Sequence, residues 1–248
     1  MNAIQHNPCA VIPVYNHGAT VAPIVRRLRL LGLPCILVND GSTPDCAATL
    51  DTLAEPKVTV LHRASNGGKG AAVCDGLRAA ARAGHSHALQ IDADGQHDLD
   101  DAARLLRASQ AAPDHLIGGL PVFGDDAPRA RLYGRWLTRI WVWINTLSFD
   151  IPDAMCGLRV YPLQHVIPVL AHTGTHMDFD IEILVRLHWA RVPMHWIPSR
   201  IRYPLDGVSH FRALADNLLI SRMHARLFFG MLARSPQLLA RNWKESGK

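Results

Sequence analysis

Short apolar runs alternate along the first half of the chain with stretches in which apolar positions recur every three or four residues. Cys9–Pro13, Cys35–Val38, Val58–Leu61, Ala88–Ile91 and Leu116–Gly119 are four or five residues long, and most end in polar or glycine-rich chain. That pattern predicts buried strands. Between the first two runs, Val21, Ile24, Val25, Leu28 and Leu31 share one helical face, with Arg26, Arg27 and Arg29 off it. Further helices are predicted from about Pro44 to Ala54, from the glycine-rich Gly67–Gly70 to about Ala83, and from Leu99 to Ala111. Strands alternating with helices of this length predict an α/β fold, a mostly parallel central sheet with helices on both faces.

After residue 120 the rhythm changes. Ala127 to Phe149 contains no acid, carries Arg129, Arg131, Arg135 and Arg139, and reads as a helix over much of its length. A loop with Asp153 and Gly157-Leu158-Arg159 follows, then a helix from Asp178 to Arg191 and extended chain from Val192 to Tyr203. Phe211 to Ala233 reads as a long basic amphipathic helix. The expected organisation is one α/β domain over residues 1–210 and a C-terminal amphipathic helical extension over 211–248, packed on the domain or on a membrane surface.

In parallel α/β sheets, ligands bind outside the carboxyl ends of the strands. Four polar or glycine-rich segments fall at those ends: Tyr15-Asn16, Asn39-Asp40-Gly41-Ser42, Asn66-Gly67-Gly68-Lys69 and Asp92-Ala93-Asp94-Gly95-Gln96. Asp92 and Asp94 are two apart, which on extended chain points both carboxylates one way, and Gln96 adds an oxygen on the same side. Such oxygens suit a hard divalent cation, Mg²⁺ or Mn²⁺, bridging substrate phosphates; the plainer reading is a solvated acidic turn. Asp40 can accept hydrogen bonds from a base or ribose, or belong to an ordinary β-turn. Asn66 to Gly70 offers backbone N–H groups and Lys69 to an anion, though not with P-loop spacing. It serves equally as a helix-entry turn.

Composition narrows the class. Of 248 residues, 48% are hydrophobic and 19% charged, enough for a full core. The formal net charge is +5. From Arg200 onward nine lysines and arginines face three acids, a basic end suited to phosphates or an anionic membrane face. The five cysteines form no C-x-x-C pair, so neither a zinc site nor a disulfide framework is expected, and a reducing, cytoplasmic compartment is. No signal peptide is visible, and no charge-free window is long enough to predict a spanning helix. Without an interleaved aromatic–basic stripe, nucleic acid is not expected as a partner.

Taken in order, Ile12-Pro13-Val14-Tyr15-Asn16, Val38-Asn39-Asp40-Gly41-Ser42, Asn66 to Ala72, Asp92 to His97 and Cys156-Gly157-Leu158-Arg159-Val160-Tyr161 resemble the family 2 glycosyltransferases of the GT-A fold. The likeness is to the branch similar to dolichyl-phosphate mannose synthase and bacterial polyprenyl-phosphate sugar synthases, over about residues 8 to 210. It implies a UDP- or GDP-sugar donor, with Pro13, Tyr15, Asn16, Asp40, Asn66, Lys69 and Asp92 on the donor side and the metal on Asp92, Asp94 and Gln96. It places Asp153 and Arg159 near the acceptor, Asp153 being the candidate general base for an alcohol. The acceptor implied is a lipid or lipid-linked molecule. Polyprenyl phosphate is the first candidate, and a hydroxyl acceptor such as an aryl-polyene or other lipid precursor is the alternative. Gly118-Gly119-Leu120 lacks the arginine usual in the branch; either Arg131 and Arg135 replace it, or the acceptor is not a polyprenyl phosphate. The C-terminal membrane helices of many relatives are missing, so attachment to the cytoplasmic face of the inner membrane would be peripheral. Two rivals stay open: a nucleotidyltransferase, which lacks its glycine-rich loop after the first strand here, and a non-catalytic nucleotide or lipid-head-group binding module. Oligomeric state is left open.

Overall fold

The computed structural model describes residues 6–124, 129–201 and 213–246. Of Arg131 only the backbone is described, so its expected part at the acceptor lies outside the described residues, as does the 210/211 boundary. Seven strands, β1 (Pro8–Val14), β2 (Cys35–Asn39), β3 (Val58–His62), β4 (His87–Gln90), β5 (Leu116–Val122), β6 (Arg159–Pro162) and β7 (Met194–Arg200), form one sheet in the order β3-β2-β1-β4-β6-β5-β7. The helices are α1 (Gly18–Leu30), α2 (Pro44–Asp51), α3 (Lys69–Arg82), α4 (Leu99–Ala111), α5 (Arg129–Thr146), the short α6 (Leu163–Val166), α7 (Phe179–Trp189) and α8 (Ala213–Ser246).

The pairs β1–β2, β2–β3, β1–β4 and β5–β7 are parallel, in registers such as Ile12↔Leu37 and Ala10↔Leu89. Strand β6 runs against its neighbours, with Leu89↔Val160 on one side and Ile117↔Val160 on the other. The expected mostly parallel sheet is therefore present, with one reversed strand where the sequence reads as loop through Arg159. A four-residue strand is too short to show a period, and its pairing partners lie far away in sequence.

Alternation along β1 divides the core. Cys9 and Val11 join one apolar cluster, with α3, α7 and Met223 and Leu227 of α8. Ala10, Ile12 and Val14 join the other, with Val21, Ile24, Val25 and Leu28 of α1, Leu50 of α2 and Leu105 of α4. Both sheet faces are covered, which is why β1, β2 and β4 are buried at nearly every position and largely apolar. Helix α8 is longer than its predicted span and continues through Pro236. The proline leaves the Leu232 carbonyl without its helical donor, and the Ser235 hydroxyl donates to it at 2.9 Å. Met223, Leu227, Met231 and Leu238 form the buried stripe of α8, which rests on α5 and α7. Among the described residues no helix is long and apolar enough to cross a membrane.

Candidate active site

All four strand-end segments meet at one edge of the sheet, lining a single cavity of about 1700 Å³ with Pro13, Tyr15, Asp40, Asn66, Lys69, Asp92, Asp94 and Gln96. Their contributions differ. Asn16 takes a left-handed backbone (φ 59) and ties two turns together: its N–H donates to Ser42 Oγ at 3.0 Å and its Oδ1 accepts from Thr43 N at 2.9 Å. Asp40 is 3% exposed, and its oxygens accept from Gly67 N and Gly68 N, each at 2.9 Å, and from the Arg63 guanidinium. Arg63 in turn donates to Asp75 at 2.9 Å. Asp40 therefore sets the shape of the glycine turn from beneath. Gly68 enters α3 at φ 95, a conformation that a side chain would strain, with the His176 ring and the Thr175 carbonyl packed where a Cβ would stand.

The first residue of α3 supplies the central cation. Lys69 Nζ lies 2.8 Å from both oxygens of Asp92 and 2.7 Å from Asp180 Oδ2. Burial alone would discharge this lysine, but Asp180 and Asp92 outweigh it and raise its pKa above the ordinary range. Burial likewise disfavours charge on Asp92, yet Lys69 and His97, whose Nε2 is 3.8 Å away, hold its pKa well below normal. Asp94 moves the other way: burial first, then the Asp92 charge, raise it. Gly157 passes so close over Asp92 that an added Cβ would collide with the carboxylate.

Strand β4 ends at Gln90, so Asp92–Gln96 is a turn around Gly95 (φ 74) and not the extended chain used to align the two carboxylates. Both still line the cavity, and Asp94 Oδ1 accepts from Gln96 N at 3.0 Å. Among the described residues no three His, Cys, Asp or Glu side chains form a metal cluster. The donors present still fit a hard divalent cation completed by phosphate oxygens, which commonly takes only one or two protein carboxylates. The Asp92 charge disfavours a second charge on Asp94, a repulsion that a cation between the two would relieve.

Of the residues expected near the acceptor, Arg135 lines the cavity while its Nη1 donates to both Asp153 oxygens, at 2.9 and 2.7 Å. Asp153 Oδ1 also accepts from Met155 N and Cys156 N at 2.9 and 2.8 Å, so the carboxylate expected to act as base is 8% exposed and already engaged by four donated hydrogen bonds. Arg159, expected near the acceptor, is not among the residues that line the cavity. It is fully buried beneath the site and donates to the Ala154 and Asp180 carbonyls at 2.9 and 2.8 Å and to the Tyr161 hydroxyl at 3.2 Å. It opens β6, a strand buried at every position, so its side chain lies inside the protein. Asp180 and Arg63 belong to none of the sequence motifs, and His97 only closes the Asp92 to His97 motif, without a role of its own there. Asp180 accepts from Gln90 Nε2 at 3.1 Å as well as holding Lys69, and its only local signal was an acid in the first turn of a helix.

From this polar end the cavity continues into a groove between α5 and α8, walled by Tyr133, Leu137 and Trp141 on one side and Ile220, Phe228 and Phe229 on the other.

Comparison with known proteins gives a consistent picture. The model of the family "Glycosyl transferase family 2" matches residues 9–167, more than half of the chain. The chain is 37% identical over 167 residues to a polyprenol monophosphomannose synthase of Mycolicibacterium smegmatis, covering 61% of this chain and 60% of that protein. It is 32% identical over 158 residues to an undecaprenyl-phosphate mannosyltransferase of Micrococcus luteus, covering 61% and 64%. The chain thus spans under two thirds of the length of these curated relatives. Among solved structures, glucosyl-3-phosphoglycerate synthase of Mycobacterium tuberculosis, in complex with Mn²⁺ and UDP-glucose, superposes with a TM-score of 0.66 over 92% of this chain and 79% of that one. At 14% identity this likeness concerns the fold, which is of the GT-A type.

Proposed function

Since the chain belongs to glycosyl transferase family 2, we propose that it moves a sugar from a UDP- or GDP-sugar to a lipid phosphate of the polyprenyl type, with inversion at the anomeric carbon. The observation that carries this reading is the unbroken cavity running from Asp92 and Asp94 to the apolar groove between α5 and α8. A nucleoside-diphosphate sugar needs the polar end, and an isoprenoid chain needs the apolar one. The named activities of the mycobacterial and Micrococcus relatives support the same acceptor class.

Asp92, Asp94 and Gln96 would hold Mg²⁺ or Mn²⁺, which supplies charge neutralisation to a departing diphosphate. Lys69, fixed by Asp92 and Asp180, adds a second positive charge at the start of α3. Pro13 and Tyr15 wall the nucleotide end, and Asp40 holds the glycine turn against it. An acceptor phosphate already carries its nucleophilic oxygen, so positioning replaces proton abstraction. The engagement of Asp153 by Arg135 and two backbone N–H groups favours this acceptor over an alcohol, which would need a free base within reach.

A peripheral position on the cytoplasmic face of the inner membrane fits the same surface. Tyr133 and Trp136 of α5 and Leu218 and Phe229 of α8 are 48–69% exposed. Residues 1–210 would form the catalytic unit and 211–248 its membrane-facing extension. The test is a panel of UDP- and GDP-sugars with Mn²⁺, read first by thermal stabilisation and then by transfer to undecaprenyl phosphate. One donor should stabilise the protein and be consumed only when the lipid is added. Stabilisation by no nucleotide sugar, or transfer to no lipid phosphate, would overturn the reading.

A further inference from the structure

The seam between α5 and α8 is apolar along much of its length, but a buried polar pair crosses it. His224 of α8 lines the groove, is 5% exposed, and stacks on Trp141 of α5 with ring centroids 5.7 Å apart. One turn beyond Trp141, the fully buried Asn145 brings its Nδ2 to 3.1 Å from His224 Nδ1. With Nδ1 accepting from the amide, a neutral imidazole carries its proton on Nε2. Burial keeps the ring neutral, its pKa pushed down to about 4. Nε2 is itself buried and, like Asn145 Oδ1, finds no hydrogen-bond partner among the described residues. Buried donors in folded proteins are nearly always paired, and an exception at the wall of a ligand groove points to the ligand.

We propose that His224 contacts the acceptor lipid: its Nε2–H donates a hydrogen bond to an oxygen of the amphiphile seated between α5 and α8. Asn145 sets the tautomer and Trp141 holds the plane of the ring. The inference rests on the lipid-acceptor reading and adds a specificity rule to it. Around His224, Leu137, Trp141, Ile220 and Phe228 accept hydrocarbon, while a neutral donor selects a lone-pair oxygen, from a phosphate or a hydroxyl. An occupant without that oxygen leaves the donor unpaired, and sites built around a buried hydrogen bond discriminate strongly against such a ligand.

The test titrates farnesyl phosphate and farnesol into the full chain, read by tryptophan fluorescence, for wild type, His224→Phe and His224→Gln. A parallel arm measures thermal stabilisation by Mn²⁺ with UDP or GDP. His224→Phe should bind lipid about 10-fold more weakly, His224→Gln should recover part of the loss through its amide N–H, and the nucleotide shift should be the same in all three. Weakening confined to farnesyl phosphate assigns the contact to a phosphate oxygen; equal weakening of both ligands assigns it to the terminal oxygen they share. Equal lipid affinity in wild type and His224→Phe overturns the role of His224 and leaves the lipid-acceptor reading standing. Loss of the nucleotide shift in step with lipid binding also overturns it, since that marks a general structural role. If wild type binds neither lipid, the inference and the acceptor half of the proposed function fall together, and the nucleotide arm still judges the donor half.

Discussion

At the scale of single residues, the site is organised by charges that hold one another. Lys69 is shared between Asp92 and Asp180, and Asp180 is also bonded by Gln90. Asp180→Asn removes one of the two carboxylates that keep the buried lysine charged and placed. The expected result is a rise of about 10-fold in donor KM and a Tm lower by several degrees, measured by transfer kinetics and thermal melting. Asp94→Ala removes a carboxylate from the proposed metal set without touching Lys69. Its turnover should fall by at least about 100-fold with little change in Tm, and normal turnover in chelator-treated buffer would remove Asp94 from that set. Much of this was legible in the sequence, because Asp92, Asp94, Asp40 and Lys69 stand at strand ends and helix starts marked by local turn residues. Asp180 and the true surroundings of Arg159 were not, because a buried ion pair carries no local period.

At the scale of elements, α8 is fastened to the rest of the protein by charged contacts as well as by its apolar stripe. Glu182 of α7, fully buried, accepts from Arg226 of α8 at 2.6 Å, from Arg186 of its own helix at 2.9 and 2.6 Å, and from Gly174 N at 2.8 Å. Glu182→Gln would leave two arginines without their counter-charge and should cost about 3 kcal/mol in urea denaturation, whereas Arg226→Ala should cost less, because Arg186 and Gly174 still satisfy the carboxylate. Further along, Arg241 donates to the His188 carbonyl at 2.9 Å. Burial and then the Arg241 charge push the His188 pKa down to about 4. An unfolded histidine titrates near 6.5, so the unfolded chain binds more protons between these values. The contribution of the neutral ring is whole above about pH 6.5 and is lost as pH falls toward 4, and His224 adds to the same loss. Denaturation midpoints should therefore drop between pH 7.5 and 4.5, and His188→Gln should flatten part of that dependence.

At the scale of the whole molecule, one sheet edge gathers the polar chemistry and two helices extend it into an apolar groove with exposed aromatic rims. If that rim meets a membrane, Trp136→Glu with Phe229→Glu should reduce sedimentation with anionic phospholipid vesicles by about 10-fold or more, while nucleotide-linked thermal stabilisation stays unchanged. Equal sedimentation of wild type and the double variant would place the membrane contact elsewhere. The amino-acid sequence by itself determined the order of strands and helices through β5, the convergence of four strand-end segments, and the family, because apolar period, turn residues and short motifs act within a few residues of chain. Only the tertiary structure decided the reversal of β6, the turn that carries Asp92 and Asp94, and the engagement of Asp153 by Arg135. It also decided the closure of α8 on α5. These depend on contacts such as Tyr161 with Gln90 and Asn145 with His224, 71 and 79 positions apart, which form only when the sheet has brought distant segments together.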